Sequence, residues 1–153
     1  MEMNELEVFP ATTEEREWAA RLLSENDPWK KLAIPFEKIL QNCNDAEFLL
    51  YVAHSGKKPC AVIIVDPRGV AGSPYIKSIA VATEYRSVGI GGALMQFIEE
   101  HFRNASKYIF LCVSSFNLRA RALYEKLGYR EVGELKDYIV DGASEILMSK
   151  RLS

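Results

Sequence analysis

The residues best suited to bind an anion form a short glycine-rich segment, Arg86-Ser87-Val88-Gly89-Ile90-Gly91-Gly92. An apolar, partly β-branched run precedes it and apolar residues recur at helical spacing after it, which predicts a strand, a turn and a helix. Glycines permit positive φ angles, and the first N–H groups of a helix lack internal partners. Arg86 adds a fixed charge and a donor fork suited to phosphate oxygens. The segment predicts a phosphate site, although three glycines also suit a tight connection that binds nothing.

Two familiar phosphate motifs do not match this turn. A P-loop has Lys and then Ser or Thr after its second glycine, whereas Gly92-Ala93 stand there. A dinucleotide fingerprint has a third glycine where this chain has Leu94. The turn is therefore of another kind.

Three patterns, taken together, suggest which kind. They are Ile79-Ala80-Val81, then Tyr85-Arg86-x-x-Gly89-Ile90-Gly91, then Asn117-x-x-Ala120-x-x-Leu123-Tyr124-x-x-Leu127-Gly128-Tyr129. In this order and at this spacing the chain resembles the GNAT superfamily, the Gcn5-related N-acetyltransferases, and looks like its bacterial single-domain members. The resemblance covers about residues 74–150, and the first half matches only in the order of its elements.

The resemblance implies how acetyl-CoA would bind. Backbone N–H groups of Ser87, Val88, Gly89, Ile90, Gly91 and Gly92 would hold its pyrophosphate, with Arg86 nearby. The pantetheine arm would pair, like a strand, with the backbone of Ile79, Ala80 and Val81, because a free sheet edge has unpaired backbone groups. The Asn117 amide would hydrogen-bond the same arm, since it lies seven residues before Tyr124 and so on the same helical face.

The resemblance also implies a catalytic role for Tyr124, which matches the position of the family's general acid. A phenol has a reference pKa of about 10 and stays protonated at neutral pH, as a proton donor to the departing thiolate must. A core aromatic residue at helical spacing is the alternative interpretation of Tyr124.

The general base is where the sequence departs from the family. Members that acetylate peptide N-termini often carry a glutamate on the fifth strand, five residues before the asparagine, and that position is Cys112 here. A thiol in an apolar strand is a poor base because burial raises its pKa. Either the base lies elsewhere, or water relays the proton, or the amine arrives already neutral. Glu84, Glu134 and Asp137 are candidates by position alone, and each also suits a solvated surface.

The acceptor amine is less defined. The family's acceptor walls correspond to the connection between the first two helices and to the final hairpin, here Asp27, Trp29 and Tyr138. The aromatic rings suit an amine and Asp27 suits its ammonium. Trp29 as a core residue and Asp27 as a turn residue are equally good interpretations.

Composition limits the other classes of function. The chain has 153 residues, 48% hydrophobic and 26% charged, which predicts one domain over residues 1–153. A net charge of −2 favours neither nucleic acid nor an anionic membrane surface, and no apolar run approaches the ~20 residues of a membrane span. The acidic start, Met1 to Glu5, is unlike a signal peptide, so the expected location is cytoplasmic. Three scattered cysteines and two isolated histidines predict reduced, buried thiols and no metal site.

The elements that must position these residues follow from hydrophobic periodicity. The first helix has a capping box at Thr12–Glu15, and a second helix begins near Pro35. Strands are predicted at 6–9, 48–53, 60–65, 75–82 and 108–113, and a loop at 66–74. Residues 129–140 and 145–152 flank Asp141-Gly142, a strong hairpin signal. We expect an α/β fold of GNAT type: about seven strands in a mixed, mostly antiparallel sheet, a splayed central parallel pair, and helices on both faces.

The leading hypothesis is an acetyl-CoA-dependent N-acetyltransferase that acts on a small-molecule amine, a peptide or protein N-terminus, or a lysine by direct transfer, as a monomer or homodimer. The first alternative is a GNAT-like module that binds acyl-CoA without turnover. The missing strand-five glutamate favours it, whereas Tyr124 and Asn117 argue against it. A phosphate-ligand binder unrelated to the family and a covalent route through Cys112 are further alternatives.

Overall fold

A computed structural model describes residues 6–153, which contain four α-helices and seven strands. The acidic start used to predict the location lies outside the described residues. In chain order the elements are β1 (Leu6–Pro10), α1 (Thr13–Ser24), α2 (Phe36–Asn44), β2 (Leu49–Ser55), β3 (Lys58–Val70), β4 (Ser73–Val81), a 3₁₀ turn (Thr83–Tyr85), α3 (Ile90–Phe102), β5 (Tyr108–Ser114), α4 (Leu118–Lys126), β6 (Arg130–Leu135) and β7 (Glu145–Arg151).

All seven strands form one sheet in the order β1-β2-β3-β4-β5-β7-β6. Every neighbouring pair is antiparallel except β4 and β5, which are parallel. The prediction of a mixed, mostly antiparallel sheet with a central parallel pair is therefore confirmed. Strand β7 lies between β5 and β6, although it follows both in the chain.

The parallel strands β4 and β5 separate after a short paired stretch. They pair only through Tyr75 with Phe110 and Ile76 with Leu111. Beyond that point β4 continues to Val81 along β3, while β5 continues to Ser114 along β7. The predicted splay is present, and it leaves a gap at the carboxyl ends of both strands.

Helices cover both faces of the sheet, and each face has its own hydrophobic core. One core lies under α3 and includes Leu94, Ile98 and Ile63, whereas the other lies under α1 and α2 and includes Leu23 and Ile64. Ile63 and Ile64 enter different cores because successive strand residues face opposite sides of a sheet.

The predicted start of α1 is confirmed. Thr12 Oγ1 accepts a hydrogen bond from Glu15 N at 3.2 Å, and Thr12 N donates one to Glu15 Oε1 at 2.9 Å. This capping box satisfies two N–H groups that the helix leaves unpaired.

The prediction of a loop over residues 66–74 is wrong. Strand β3 extends to Val70, which pairs with Ser73, and the connection is a two-residue turn at Ala71-Gly72 with φ angles of 49° and 81°. Two positive φ angles match the twist of a tight hairpin. Pro67 lies where the register shifts between Asp66 and Val70, so its missing N–H breaks no regular ladder.

The hairpin predicted around Asp141-Gly142 is present, but its first strand ends earlier and its loop is longer than predicted. Strand β6 ends at Leu135, which pairs with Glu145, so residues 136–144 form a longer loop between β6 and β7. Gly142 has a positive φ of 87°, and its N–H donates to Asp137 Oδ1 at 2.7 Å. The Asp-Gly pair therefore turns the chain within this loop, while the antiparallel pairing of the two strands is as predicted.

None of the helices in residues 6–153 combines the length and apolar character that crossing a membrane requires.

Candidate active site

A cavity of about 800 Å³ lies where β4 and β5 separate, against the start of α3 and one side of α4. This volume is in the range of small-molecule sites. Val88 does not line it, and its side chain is 42% exposed. The predicted residues that do line it are Ile79, Ala80, Val81, Arg86, Ser87, Gly89, Ile90, Gly91, Gly92, Asn117 and Tyr124. The structure thus brings the glycine turn, the β4 edge and the Asn…Tyr segment to one place.

The start of α3 presents unpaired backbone N–H groups to this cavity. The first intrahelical hydrogen bond runs from Ala93 N to Gly89 O at 3.1 Å, and no side chain caps the helix. Residues 89–92 therefore have N–H groups without a partner in the described chain. Gly89 has φ 90° and ψ 10°, a left-handed conformation in which glycine carries no steric penalty. Backbone donors and a positive dipole end form a suitable cradle for a phosphate group.

The Arg86 guanidinium joins this turn to two other elements. Its Nε donates to Val81 O at 3.2 Å, and its Nη2 donates to Asn26 Oδ1 just after α1. Arg86 therefore holds the turn against β4 and also places a positive charge at the cavity wall.

The free edge of β4 offers backbone groups to the gap. Ala82 N donates to Cys60 O at 2.8 Å, so Ala82 and, by alternation, Ala80 direct their N–H and C=O toward β3. Ile79 and Val81 then direct theirs away from β3, into the gap, where Val81 O already accepts the hydrogen bond from Arg86 Nε. Such an edge can pair with an extended ligand as if it were a strand.

Tyr124 projects from α4 beside Tyr129, with ring centroids 6.1 Å apart in an edge-to-face arrangement. Burial raises the pKa of Tyr124 to about 12, so its phenol stays protonated at neutral pH. Asn117 is the N-cap of α4, and its Oδ1 accepts from Ala120 N at 3.3 Å. Asn117 thus precedes the helix rather than sharing its face, and its Nδ2 has no hydrogen-bond partner among the described residues.

Cys112 differs from the other two cysteines. Cys43 and Cys60 are buried in the cores, whereas Cys112 is half-buried and lines the cavity beside Tyr75 of β4. The expectation of a buried thiol is therefore wrong for Cys112, which is half-buried. Burial still raises its pKa, and burial together with nearby Cys112 and Glu145 raises the pKa of Tyr75. Among residues 6–153 no group of three or more His, Cys, Asp and Glu side chains is arranged to hold a metal ion.

Glu145 is the residue at this site that sequence reasoning missed. It lines the cavity, is only 7% exposed, and accepts a hydrogen bond from Ser114 Oγ at 2.6 Å through Oε2. Burial raises the pKa of Glu145, and the Ser114 hydrogen bond opposes that rise. The only sequence signal was a charged residue at the start of a predicted apolar strand.

The three carboxylates considered as bases from sequence, Glu84, Glu134 and Asp137, are exposed and lie outside the cavity lining. Exposure and distance from the lining make each of them an ordinary surface carboxylate.

The predicted acceptor walls are partly present. Asp27 and Trp29 line the cavity, but Tyr138 lies outside the lining and is 68% exposed. Asp27 Oδ1 accepts from Lys31 N at 3.1 Å, and Trp29 packs against the core under α1 and α2. Both residues therefore have structural contacts in addition to their place on the wall.

The chain belongs to the acetyltransferase (GNAT) family, whose model matches residues 12–129. It is similar to an uncharacterised N-acetyltransferase of Methanocaldococcus jannaschii, 40% identical over 82 residues, which are 52% of this chain and 53% of the relative. It is also similar to an N-alpha-acetyltransferase of Saccharolobus solfataricus, 39% identical over 80 residues, which are 51% of this chain and 48% of the relative. The chain thus spans about half the length of the curated relatives it matches.

The fold has a close counterpart among solved structures. A GNAT family acetyltransferase from Elizabethkingia anophelis, crystallised with acetyl-CoA bound, superposes with a TM-score of 0.73. The two are 20% identical, and the match covers 97% of this chain and 99% of that one.

Proposed function

We propose that the protein transfers the acetyl group of acetyl-CoA to a primary amine by direct attack of the amine on the thioester. The observation that carries the proposal is the open edge of β4 next to the unpaired N–H groups of α3, at one end of the cavity. This arrangement suits a ligand with an extended amide-containing arm and a pyrophosphate at its end.

The groups that line the cavity match the chemical groups of acetyl-CoA. The N–H groups of residues 89–92 would hold the pyrophosphate, and the backbone of Ile79 and Val81 would pair with the pantetheine arm. Arg86 and the Asn117 amide would add a charge and a donor. Acetyl-CoA, when bound, supplies an activated acyl carbon and a thiolate leaving group.

Tyr124 would act as the general acid. Its raised pKa keeps the phenol protonated, and its place on the cavity wall would let it give that proton to sulfur. No covalent bond to the protein is needed, and Cys112 is a poor nucleophile because burial keeps its thiol protonated.

The second candidate function is acyl-CoA binding without turnover. Cys112 favours it, because the family's peptide N-terminal acetyltransferases often have a glutamate at this β5 position. Tyr124→Phe separates the two, since only an enzyme loses turnover while it keeps its affinity for acetyl-CoA.

The acceptor we propose is a small-molecule amine, a peptide or protein N-terminus, or a lysine side chain. Similarity to an N-alpha-acetyltransferase supports an N-terminal amine, over the half of the relative that is matched. A single domain, a cytoplasmic location and a monomeric or homodimeric state stay predictions.

Calorimetric titration with acetyl-CoA tests the proposal. We expect micromolar binding by the wild type, at least tenfold weaker binding by Arg86→Ala, and unchanged binding by the control Arg130→Ala, which is exposed and outside the lining. Absence of binding to the wild type would refute the acetyl-CoA site. Equally tight binding of ATP would instead indicate an unrelated phosphate-ligand binder.

A further inference from the structure

Glu145 offers one carboxylate oxygen to the cavity. It is the first residue of β7 and pairs with Ser114 at the end of β5, whose hydroxyl is bonded to Oε2. Within residues 6–153 no group donates a hydrogen bond to the other oxygen, Oε1, and Oε1 is not among the fully enclosed polar atoms. Oε1 is therefore accessible to a ligand.

The surroundings of Glu145 lack a positive charge. No cationic side chain of the described chain forms an ion pair with it. The titratable groups that face it are the Tyr75 hydroxyl on β4 and the Cys112 thiol on β5, with Tyr138 of the loop 136–144 near Tyr75. A buried carboxylate without a cation is costly, and a cationic ligand would remove that cost.

Glu145 occupies the same face of the sheet as Cys112. Cys112 and Ser114 are two residues apart on β5, so their side chains share a face. Glu145 is the cross-strand partner of Ser114, and directly opposed side chains lie close together. A carboxylate from β7 thus stands next to the position where β5 has a thiol.

We propose that Glu145 accepts a proton from the ammonium group of the acceptor, so that a primary amine enters the cavity as a cation and becomes neutral there. This inference rests on the proposed acetyl transfer and assigns the general base of that reaction to Glu145. The raised pKa of Glu145 supports it, because a carboxylate with a pKa above its usual range is a better proton acceptor.

The proton and electron balance is complete. An N–H bond of the ammonium breaks, its proton bonds to Glu145, and the electron pair stays on nitrogen. That pair forms the N–C bond of the amide while the C–S bond breaks and its electrons go to sulfur. Tyr124 gives its proton to sulfur, and the second proton lost by nitrogen restores the phenol, directly or through water. The proton on Glu145 passes to solvent, so each turnover yields an amide, a thiol and a proton.

The test compares Glu145→Gln with the matched control Glu134→Gln. Glutamine keeps the shape of Glu145 and can keep its contact with Ser114, whereas Glu134 is an exposed carboxylate on the adjacent strand β6. The wild type is first offered acetyl-CoA and a pool of small primary amines and synthetic peptides with free N-termini. The pH dependence of kcat/KM is then measured for the acceptor that is acetylated fastest.

We expect Glu145→Gln to lower kcat/KM at neutral pH by about 100-fold or more, and Glu134→Gln to leave it unchanged. In Glu145→Gln the rate should rise with pH up to the pKa of the amine, because only the neutral amine reacts. Ser114→Ala should move the acid limb of the wild-type profile to higher pH, since it removes a hydrogen bond that favours the carboxylate.

A Glu145→Gln enzyme with the wild-type rate and acid limb would overturn the role of Glu145 and leave acetyl transfer intact. A wild type that binds acetyl-CoA but acetylates nothing in the pool would overturn both proposals. If Glu145→Gln does not fold, the Ser114→Ala profile decides: a shifted limb supports the role and an unshifted one refutes it.

Discussion

Replacing Tyr124 by Phe removes one hydroxyl group from the cavity wall and leaves the packing of the ring on Tyr129 in place. General acid catalysis contributes about 10²- to 10⁴-fold, so we expect kcat to fall by at least about 100-fold. No described residue hydrogen-bonds the Tyr124 hydroxyl, so the free energy of unfolding should change by less than about 0.5 kcal/mol. Affinity for acetyl-CoA should stay close to that of the wild type.

Tyr129→Phe is the matched control, because the two rings are neighbours and, among the described residues, only the Tyr129 hydroxyl has a hydrogen-bond partner. The Tyr129 hydroxyl is buried and donates to Glu99 Oε2 at 3.0 Å, while Lys150 Nζ binds the other oxygen of Glu99 at 2.7 Å. Loss of a buried hydrogen bond to a charged group costs about 2 kcal/mol, or roughly 4–8 °C in Tm for a chain of this size. The kcat of Tyr129→Phe should change little.

Three measurements distinguish the two tyrosines: thermal unfolding, calorimetric titration with acetyl-CoA, and release of the free CoA thiol in the presence of the amine and peptide pool. If Tyr124→Phe kept kcat within about threefold of the wild type, the general-acid role would be refuted. If it lowered Tm as much as Tyr129→Phe does, Tyr124 would be a structural residue.

Three further outcomes follow from the same site. The pKa of Glu145 is raised in the folded state, so the folded protein binds this proton more tightly than the unfolded chain does. The free energy of unfolding therefore falls as the pH rises from the pKa of the unfolded chain to that of the folded protein. Glu145→Gln should raise Tm at neutral pH and remove this pH dependence. Incubation with acetyl-CoA alone should leave the protein mass unchanged, since burial keeps Cys112 protonated; an acetyl adduct on Cys112 would instead support covalent transfer. Gly89→Ala, at a φ of 90°, should cost about 1–2 kcal/mol of stability and weaken acetyl-CoA binding, whereas Gly92→Ala, whose Cβ meets no protein atom, should not lower Tm.

Much of the fold is predictable because the local signals agree with the final structure. The capping box at Thr12, the glycine turn before α3 and the apolar run of β5 each specify an element through short-range chemistry. The prolines and glycines of residues 66–74 led to the wrong prediction of a loop. Pro67 is accommodated at a register shift, and Ala71-Gly72 alone makes the turn. Composition gives no sign of which proline lies at a bulge.

The site is predictable only where one segment carries it. The spacing of the site residues is visible in the sequence for the turn at residues 86–92 and for the segment from Asn117 to Tyr124. It is not visible for Glu145, because the place of Glu145 beside Ser114 depends on pairing between strands that are 31 positions apart. Long-range pairing of this kind leaves no periodic trace in the sequence.

The position of β7 between β5 and β6 has a consequence for the timing of synthesis. As the chain leaves the ribosome, β5 and β6 emerge before β7, so until residues 145–151 follow β6 has no partner strand and β5 has only β4. Until then the nascent chain exposes an open edge on β5, a surface on which chaperones act and from which aggregation begins. The cavity wall that contains Glu145 is thus assembled last, and a chain stalled at residue 144 would have the glycine turn and Tyr124 but not this wall.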